Sequence, residues 1–254
     1  LHARQTLARL LELGCVPIIN ENDAIASDEI RFGDNDRIAA LVAHSVSADV
    51  LVLLTDIAGL FTADPSIDAS ATFIEQVAAD DPLLSVRASA SSSARGSGGM
   101  SSKLSAARIA SWSGVRTVIA DATKTDVVVH ALAQTPGAGT QFLPHNRNLS
   151  ARKLWIAFAA QQSGVIVVDA GAKQALIGRN TSLLHAGVAG VHGDFSEGDT
   201  VEIQDMSGAV FARGMVSVSA IHASAAAGRK SAELPDGIVA ELVHRDDLVV
   251  LVDQ

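Results

Sequence analysis

Tyrosine is absent from the 254-residue sequence, and aromatic residues together make up only 4% of it. Because 48% of the residues are hydrophobic, the core must be built from Val, Ile, Leu and Ala rather than from rings. The single cysteine, Cys15, excludes an internal disulfide framework and fits a reducing compartment. We therefore expect a cytoplasmic globular protein, with Cys15 packed beside a buried strand.

Long apolar runs, metal-ligand patterns and positive charge are also scarce. No apolar run reaches the ~20 residues of a membrane-spanning helix, so we expect no membrane segment. The eight histidines are scattered, and no His-x-x-His pair occurs, so we expect no protein-bound metal site. The net charge is −9, divided as −5 over residues 1–148 and −4 over residues 149–254. Neither half has the positive charge that nonspecific nucleic-acid binding requires.

The most informative positive feature is a glycine-rich stretch at residues 96–103, Gly-Ser-Gly-Gly-Met-Ser-Ser-Lys. Glycines allow backbone amides to approach an anion closely, and a following helix adds its positive end. Lys103 places an ammonium at the same position, so the stretch indicates a site for nucleotide phosphates. Leu104 follows the lysine, which does not fit the P-loop pattern. A flexible Ser/Gly linker remains the alternative on composition alone.

Hydrophobic periodicity in the first 148 residues predicts alternating strands and helices. We expect a helix closed by Gly14, strands at 16–19, 50–54 and 117–120, and helices at 37–47, 103–113 and 125–133. This order predicts an α/β fold, with an open and mainly parallel sheet and helices on both faces. Ligands of such sheets bind beyond the carboxyl ends of the strands. The polar residues 20–23 and the pair Thr55 and Asp56 fall at such ends.

A second domain begins after the Pro- and Gly-rich residues 136–148. Short predicted strands at 166–168, 198–203, 210–214 and 248–252 alternate with turn residues. This pattern is typical of a small β-rich barrel of about 100 residues. We therefore divide the chain into domains at 1–148 and 149–254.

Four motifs in order resemble the glutamate 5-kinase family of the amino-acid kinase superfamily. They are Asn-Glu-Asn-Asp at 20–23, Gly-Asp-Asn-Asp at 33–36, Leu-Thr-Asp-Ile-Ala-Gly-Leu-Phe at 54–61, and Gly-Gly-Met-Ser-Ser-Lys at 98–103. Residues 153–252 are similar to a PUA domain, through residues 164–172, 182–184 and 193–199. The resemblance implies an incomplete amino-acid kinase fold followed by a PUA β-barrel.

The same resemblance implies the reaction and its partners. ATP, accompanied by Mg²⁺, would phosphorylate the γ-carboxylate of L-glutamate to L-glutamyl 5-phosphate, the first step of proline biosynthesis. Proline would be a feedback inhibitor, and the protein would form a dimer or tetramer. Two alternatives stay open: an RNA-binding or regulatory PUA protein, and a sister kinase acting on acetylglutamate, aspartate or UMP. Net negative charge disfavours the first, and the PUA-like tail with the 33–36 motif disfavours the second.

Site residues follow from the matched motifs. Lys103 would stabilise the transferring phosphoryl group, and Asp36 would organise the active-site lysines. A solvated lysine and a helix N-cap are the structural alternatives for these two residues. Glutamate would be bound by Asp23, Asn35, Asn20 and Asp34, although 20–23 alone also fits a simple turn. The nucleotide would be bound by Thr55, Asp56, Ser97, Gly98, Gly99, Met100, Ser101, Ser102 and Lys103.

The sequence departs from the family pattern in its first segment. The family carries a Lys-x-Gly-Ser phosphate loop and a Ser-Gly-Ala substrate loop there, and neither occurs before Cys15. We therefore expect the 254-residue chain to be inactive by itself. Ser97 and Ser102 stand where family members often have Thr, which keeps the hydroxyl.

Overall fold

A computed structural model of the chain describes residues 2–20, 35–79, 81, 99–146, 149–235 and 237–252. The chain divides into two compact units, Leu1–Leu149 and Ser150–Gln254. Among the described residues, no helix combines the length and apolar character that crossing a membrane requires.

The first unit is an α/β structure. Its described helices are α1 (His2–Glu12), α2 (Asn35–Ser45), α3 (Met100–Trp112) and α4 (Val127–Leu132). Its described strands are β1 (Val50–Thr55), β2 (Gln76–Val77), β3 (Arg116–Asp121) and β4 (Thr140–Phe142). The strands predicted at 50–54 and 117–120 and the helices predicted at 37–47, 103–113 and 125–133 are confirmed, with ends shifted by at most three residues.

The four strands form one sheet in the order β1-β3-β4-β2. Strand β1 pairs in parallel with β3, and β2 with β4, whereas β3 and β4 are antiparallel. The predicted α/β fold is therefore confirmed, and the sheet is mixed, with two parallel pairings and one antiparallel pairing. Alanines give the helices flat contact faces: Ala40 of α2 and Ala106, Ala107 and Ala110 of α3 are fully buried.

The strand predicted at 16–19 is wrong. Residues 15–20 have no regular secondary structure, and Val16 and Ile18 are 87% and 96% exposed. Cys15 is exposed as well, which corrects its predicted packing role. An apolar run becomes a buried strand only where neighbouring strands pair with it, and the described residues give this run no partner. The end of α1 was predicted correctly, since Gly14 has a positive φ of 71° and its amide bonds Leu11 O.

The second unit is rich in β-structure. Its helical segments are α5 (Ala151–Leu154), a π-helix (Trp155–Ala159), α6 (Ala170–Arg179), α7 (Ala220–Ala226) and three 3₁₀ turns (His185–Gly187, Ser231–Glu233 and Arg245–Asp247). Its strands are β5 (Gln162–Val168), β6 (Leu183–Leu184), β7 (Val188–Gly193), β8 (Thr200–Gln204), β9 (Val210–Met215), β10 (Glu241–Val243) and β11 (Leu248–Val250). They form a five-stranded sheet in the order β11-β9-β8-β5-β7 and a two-stranded sheet of β10 and β6.

Two polar side chains of this second unit, one partly buried and one fully buried, bond to backbone carbonyls. Arg213 on β9 donates to Ala157 O in the π-helix at 2.5 Å and to Glu202 Oε1 at 3.2 Å. His185 is 1% exposed, and its Nε2 lies 3.2 Å from Val239 O. A carbonyl oxygen only accepts, so Nε2 carries the proton, and the buried Nδ1 has no partner among the described residues. Burial lowers the pKa of His185, so the imidazole is kept neutral.

Candidate active site at the sheet edge

The N-termini of α2 and α3 lie at the carboxyl edge of the sheet. Helix α3 has 13 residues and is followed after a short turn by β3, which has 6. At about 1.5 Å per helical residue and 3.3 Å per strand residue, both span about 20 Å. Helix α3 therefore runs back along the sheet from the end where β3 finishes. Helix α2 also runs back along the sheet, because it packs against β1 and is followed by that strand after a short connection in the sequence.

Lys103 and Asp36 join these two helix starts. The Lys103 ammonium donates to both carboxylate oxygens of Asp36, at 3.1 and 3.0 Å. The hydroxyl of Ser102 donates to Asp36 Oδ2 at 2.6 Å. The side chains of Lys103 and Asp36 are only 11% and 16% exposed. This ion pair is thus largely shielded from water, so screening by salt is weaker than for a surface pair.

The structural alternatives for these two residues do not describe what is seen. Helix α2 begins at Asn35, so Asp36 lies in its first turn and is not the N-cap residue. Lys103 is 9% exposed and is therefore not a solvated lysine. A carboxylate is favoured at a helix N-terminus, whereas an ammonium is not. Asp36 thus compensates the unfavourable position of Lys103 while Asn35 stays exposed beside it.

Gly99 is the N-cap of α3 and has no side chain, so it leaves space in front of the first helical turn. Its carbonyl accepts the first helical bond, from the amide of Ser102 at 3.1 Å. The amides of Gly99, Met100 and Ser101 precede that bond and belong to the positive end of the helix. A Cβ added at Gly99 would meet nothing within 4 Å. The geometry therefore offers an anion both backbone amides and the Lys103 ammonium.

Thr55 and Asp56 end strand β1 at the same edge. Thr55 is in register with Asp121, the last residue of β3, and its carbonyl accepts the amide of Ala122 at 2.8 Å. The Thr55 hydroxyl donates to Asp56 Oδ1 at 3.2 Å, and Asp56 is exposed. The pair thus lies at the carboxyl ends of two adjacent parallel strands.

The residues that follow Asp56 are fixed by Thr140, which sequence reasoning missed. The buried hydroxyl of Thr140 accepts from Leu60 N at 2.7 Å and donates to Ile74 O at 2.6 Å. It thereby closes the neck of a loop whose Phe61 and Phe73 rings meet edge to face at 5.5 Å. No motif signals this role, because a buried threonine in a short strand is common.

The other predicted site residues are placed less closely. Asn20 is exposed at the end of the irregular segment 15–20. Asp23, Asp34, Ser97 and Gly98 lie outside the described residues. The structure therefore brings Asp36, Ser102 and Lys103 into direct contact and sets Thr55, Asp56 and Gly99 along the same edge. Over the described part of the chain, His, Cys, Asp and Glu form no group of three that could hold a metal ion.

A cavity of about 310 Å³ adjoins this edge, and sequence reasoning missed it as well. Its wall includes Ala58 from the segment after Asp56, Asp121 from the end of β3, and Lys124, His130 and Ala138 from the region between β3 and β4. Hydrogen bonds from the hydroxyl and amide of Thr123 lower the pKa of Asp121, so its carboxylate is ionised. The available signal was the polar run after the strand at 117–120, which has the same placement as Thr55 and Asp56.

Comparisons with known proteins give two family profiles and several relatives that this chain resembles. The amino acid kinase family profile matches residues 1–121, and the PUA domain profile matches residues 164–238. Glutamate 5-kinase of Myxococcus xanthus is 44% identical over 99% of this chain and 67% of its own length. That of Nitrosospira multiformis is 46% identical, over 99% and 68%. Among solved structures, UMP kinase from Ureaplasma parvum is 15% identical, with a TM-score of 0.40, over 55% of this chain and 52% of its own.

The fold and the site define an amino-acid kinase domain followed by a PUA domain. Sequence identity of 44–46% along almost the whole chain decides among the kinases of that fold. The chain belongs to the glutamate 5-kinase family, whose reaction is the ATP-dependent phosphorylation of the glutamate 5-carboxylate in proline biosynthesis. It spans about two thirds of the length of these relatives.

Proposed function

We propose that the first unit binds the ATP phosphates at the start of α3 and that Lys103 is the catalytic cation of the glutamate kinase reaction. The observation that carries this proposal is the shielded Lys103–Asp36 ion pair at the N-terminus of that helix. An ammonium has three protons, and Asp36 takes two of them. The third can be donated to a phosphate oxygen without loss of the position that Asp36 imposes.

The chemistry requires alignment and charge stabilisation rather than a strong base. A γ-carboxylate is already deprotonated at neutral pH, so its oxygen attacks the γ-phosphorus directly. The bond from that phosphorus to the β–γ bridging oxygen breaks, and ADP leaves. Negative charge spreads over the transferring group during this step, and a fixed cation stabilises it. Lys103 supplies that cation, and Asp36 with Ser102 positions it.

The remaining site residues divide between the two substrates. The proposed nucleotide side comprises Thr55, Asp56 and the stretch from Ser97 to Lys103. The proposed glutamate side comprises Asn20, Asp23, Asp34 and Asn35, and the exposed amide of Asn35 next to Asp36 supports it. Mg²⁺ would accompany the phosphates, since it binds through one or two carboxylates and keeps several waters. The exposed carboxylate of Asp56 fits that requirement.

Nucleotide binding by the 254-residue chain tests the first half of this proposal. Isothermal titration with ADP and Mg²⁺ should show saturable binding, which Lys103→Met weakens at least about tenfold because a shielded charge partner is lost. Lys153→Met is the control, because that lysine bonds Arg245 O in the second unit. Equal affinity in the parent chain and in Lys103→Met would exclude Lys103 from the nucleotide site.

Turnover tests the second half. The chain can be combined with the part of the Nitrosospira multiformis relative that it does not cover and assayed for ADP release with glutamate, acetylglutamate, aspartate and UMP. Glutamate alone should support turnover, and Lys103→Ala should lower kcat by on the order of 100-fold. Asn35→Ala should instead raise KM for glutamate. Turnover with one of the other three substrates would instead indicate a related amino-acid kinase that is specific for that substrate.

The second unit is proposed to regulate or assemble the enzyme rather than to bind RNA. Several of its cations are engaged by carboxylates: Arg152 by Asp247, Lys173 by Asp205 at 2.6 Å, and Arg213 by Glu202. Together with a net charge of −4 over 149–254, this leaves little positive charge for a phosphate backbone. Saturable RNA retention on a filter that weakens with salt would contradict this role.

Three further proposals concern the setting of the enzyme. Proline is proposed as a feedback inhibitor, and the protein as a dimer or tetramer that works in the cytoplasm. The exposed thiol of Cys15 supports a reducing compartment. Light scattering of the purified protein with and without proline measures its mass and shows whether the inhibitor changes it.

A further inference from the structure

The short segment from Asp56 to Leu60 is fixed at both of its ends. At its start, the carbonyl of Thr55 accepts the amide of Ala122 at 2.8 Å, which ties the end of β1 to the end of β3. At its other end, the amide of Leu60 donates to the hydroxyl of Thr140 at 2.7 Å. Three residues separate Asp56 from Leu60, so a displacement of Leu60 is transmitted over a short length of chain to the Asp56 carboxylate.

Thr140 is itself held rigidly by the sheet. It lies on β4 in register with Ile119 of β3 and is 0% exposed. Its hydroxyl accepts the Leu60 amide and donates to Ile74 O at 2.6 Å. Because a hydroxyl has only one proton, these two bonds together fix its orientation. Thr140 therefore ties the position of the segment after Asp56 to the position of a central strand.

Gly59 shows how closely this segment passes over the Thr140 hydroxyl. Its φ is +150°, a conformation that residues with a side chain rarely adopt. A Cβ added there would lie 2.6 Å from Thr140 Oγ1 and 3.0 Å from Thr140 N. Glycine at position 59 thus permits the close approach on which the bond from Leu60 to Thr140 depends.

We propose that Thr140 is a positioning residue of the kinase, which holds the Asp56 carboxylate in place at the nucleotide side of the site. In this role Thr140 acts only through the segment that ends at Leu60 and makes no contact with the nucleotide. The inference rests on the proposed function, in which Asp56 belongs to the nucleotide side. A Thr140 with a structural role alone would contribute to folding but not to the nucleotide affinity of the folded molecules.

Isothermal titration of the 254-residue chain with ADP and Mg²⁺ tests the inference. Thr140→Val keeps the shape of the side chain but removes both hydrogen bonds, and it should weaken ADP binding by about threefold to tenfold, because a binding group held loosely loses affinity. Thr140→Ser keeps the hydroxyl and should restore most of the affinity. Asp56→Asn should weaken ADP binding by about tenfold through loss of its charge.

A double variant shows whether Thr140 acts through Asp56. If it does, Asp56→Asn combined with Thr140→Val should bind ADP no more weakly than Asp56→Asn alone, because the group to be positioned is already gone. Independent effects would instead multiply. A loss of affinity in the double variant equal to the product of the two single losses would overturn the inference.

Two matched controls separate positioning from stability. Thr117→Val makes the same change at a fully buried threonine of the adjacent strand, whose hydroxyl has no hydrogen-bond partner among the described residues. Ser111→Ala removes a bond of 2.8 Å to Leu143 O at the far end of α3 and so lowers stability without touching the segment. Both should bind ADP as the parent chain does, and urea unfolding checks that each variant is folded under the titration conditions.

A second variant covers the case that Thr140→Val does not fold. Gly59→Ala pushes the segment away from the hydroxyl from the opposite side, and it should weaken ADP binding as Thr140→Val does. Parent-like ADP affinity in every folded variant of this pair would overturn the inference.

Kinetics of the combined enzyme add a readout that a structural role would not move. Thr140→Val should raise KM for ATP and leave KM for glutamate unchanged. A variant that only reduces the folded fraction lowers the apparent kcat and changes neither KM, because the remaining molecules are intact. That second pattern would also overturn the inference.

Failure of the proposed function gives a different pattern. If Lys103→Met leaves ADP affinity intact while Thr140→Val and Asp56→Asn weaken it without multiplying, the role of Lys103 fails and the role of Thr140 stands. If Asp56→Asn binds ADP as the parent does, the assignment of Asp56 fails and the role of Thr140 fails with it. If the parent chain binds no ADP, the first half of the proposed function is contradicted, and the KM for ATP of the combined enzyme decides the role of Thr140.

Discussion

Removing Asp36 should destabilise the first unit far more than removing an exposed carboxylate. At an effective dielectric constant of about 20, two unit charges 3.0 Å apart attract by about 5.5 kcal/mol before the cost of desolvation. Breaking a fully buried pair by removing one partner costs about 3–5 kcal/mol. The side chains of Lys103 and Asp36 stay 11% and 16% exposed, so the stranded ammonium can reorient partly toward water. We expect Asp36→Ala to lower the free energy of unfolding by about 2 kcal/mol.

The assay must report on the first unit alone, because a two-unit protein does not unfold as one cooperative transition. The chain has only two tryptophans, and Trp112 at the end of α3 is 4% exposed and stacked 4.1 Å from His145. Urea unfolding followed by Trp112 fluorescence in a Trp155→Phe background therefore isolates α3 and its surroundings. The change in midpoint multiplied by the m-value gives the free-energy difference.

An internal control is available on α1. Arg9 and Glu12 form an ion pair of 2.9 Å, with 68% and 65% of each side chain exposed. Glu12→Ala should change stability by less than about 0.5 kcal/mol, as surface pairs do. A change below about 0.5 kcal/mol for Asp36→Ala as well would refute the reasoning. So would additive effects of Asp36→Ala and Lys103→Met, because a real contact gives a coupling energy.

Three further predictions concern stability. Burial lowers the pKa of His185 in the folded state, so near the unfolded-state pKa of about 6.5 the unfolded chain binds more protons than the folded one. The urea midpoint of the second unit, followed by Trp155 fluorescence, should therefore fall as the pH drops through that range. His185→Gln should reduce this dependence of the midpoint on pH. Thr140→Val should lower the stability of the first unit by about 1–3 kcal/mol, because the buried Leu60 amide and the partly buried Ile74 carbonyl lose their partner, whereas Thr140→Ser should restore most of it. Arg213→Met should cost the second unit about 2 kcal/mol, because the buried carboxylate of Glu202 loses its ion pair with the arginine, and adding Glu202→Gln should recover part of that loss in the same urea assay.

Regular elements with strong local signals were predictable from the sequence. Strand β1 is an apolar run that ends in Thr55 and Asp56, and α3 follows a glycine-rich stretch and buries a face of alanines. Each of these signals lies within a few residues of the element that it specifies. The predicted ends of these elements therefore differ from the observed ends by only a few residues.

Features that depend on distant partners were not predictable. The run at 16–19 looks like a buried strand, but burial requires neighbouring strands, and Val16 is 87% exposed. The contact of Asp36 with Lys103 and Ser102 joins residues 67 and 66 positions apart. Hydrophobic periodicity reports on residues that are close together in the sequence, so it carries no information on contacts between residues that are so far apart in the sequence. The cavity beside Asp121 is likewise formed by loops whose packing no local pattern describes.

The neck closed by Thr140 has a consequence for how the length of this chain can vary. Thr140 fixes Leu60 and Ile74 on either side of the loop that contains Ile67, which is 85% exposed. Extra residues near Ile67 would lengthen only the chain beyond the neck, and doubling a flexible loop costs only about 0.6 kcal/mol in closure entropy. Insertions there would therefore leave the spacing between Thr55 and Lys103 in space unchanged, so this loop is a place where the enzyme can acquire new surface without altering its chemistry.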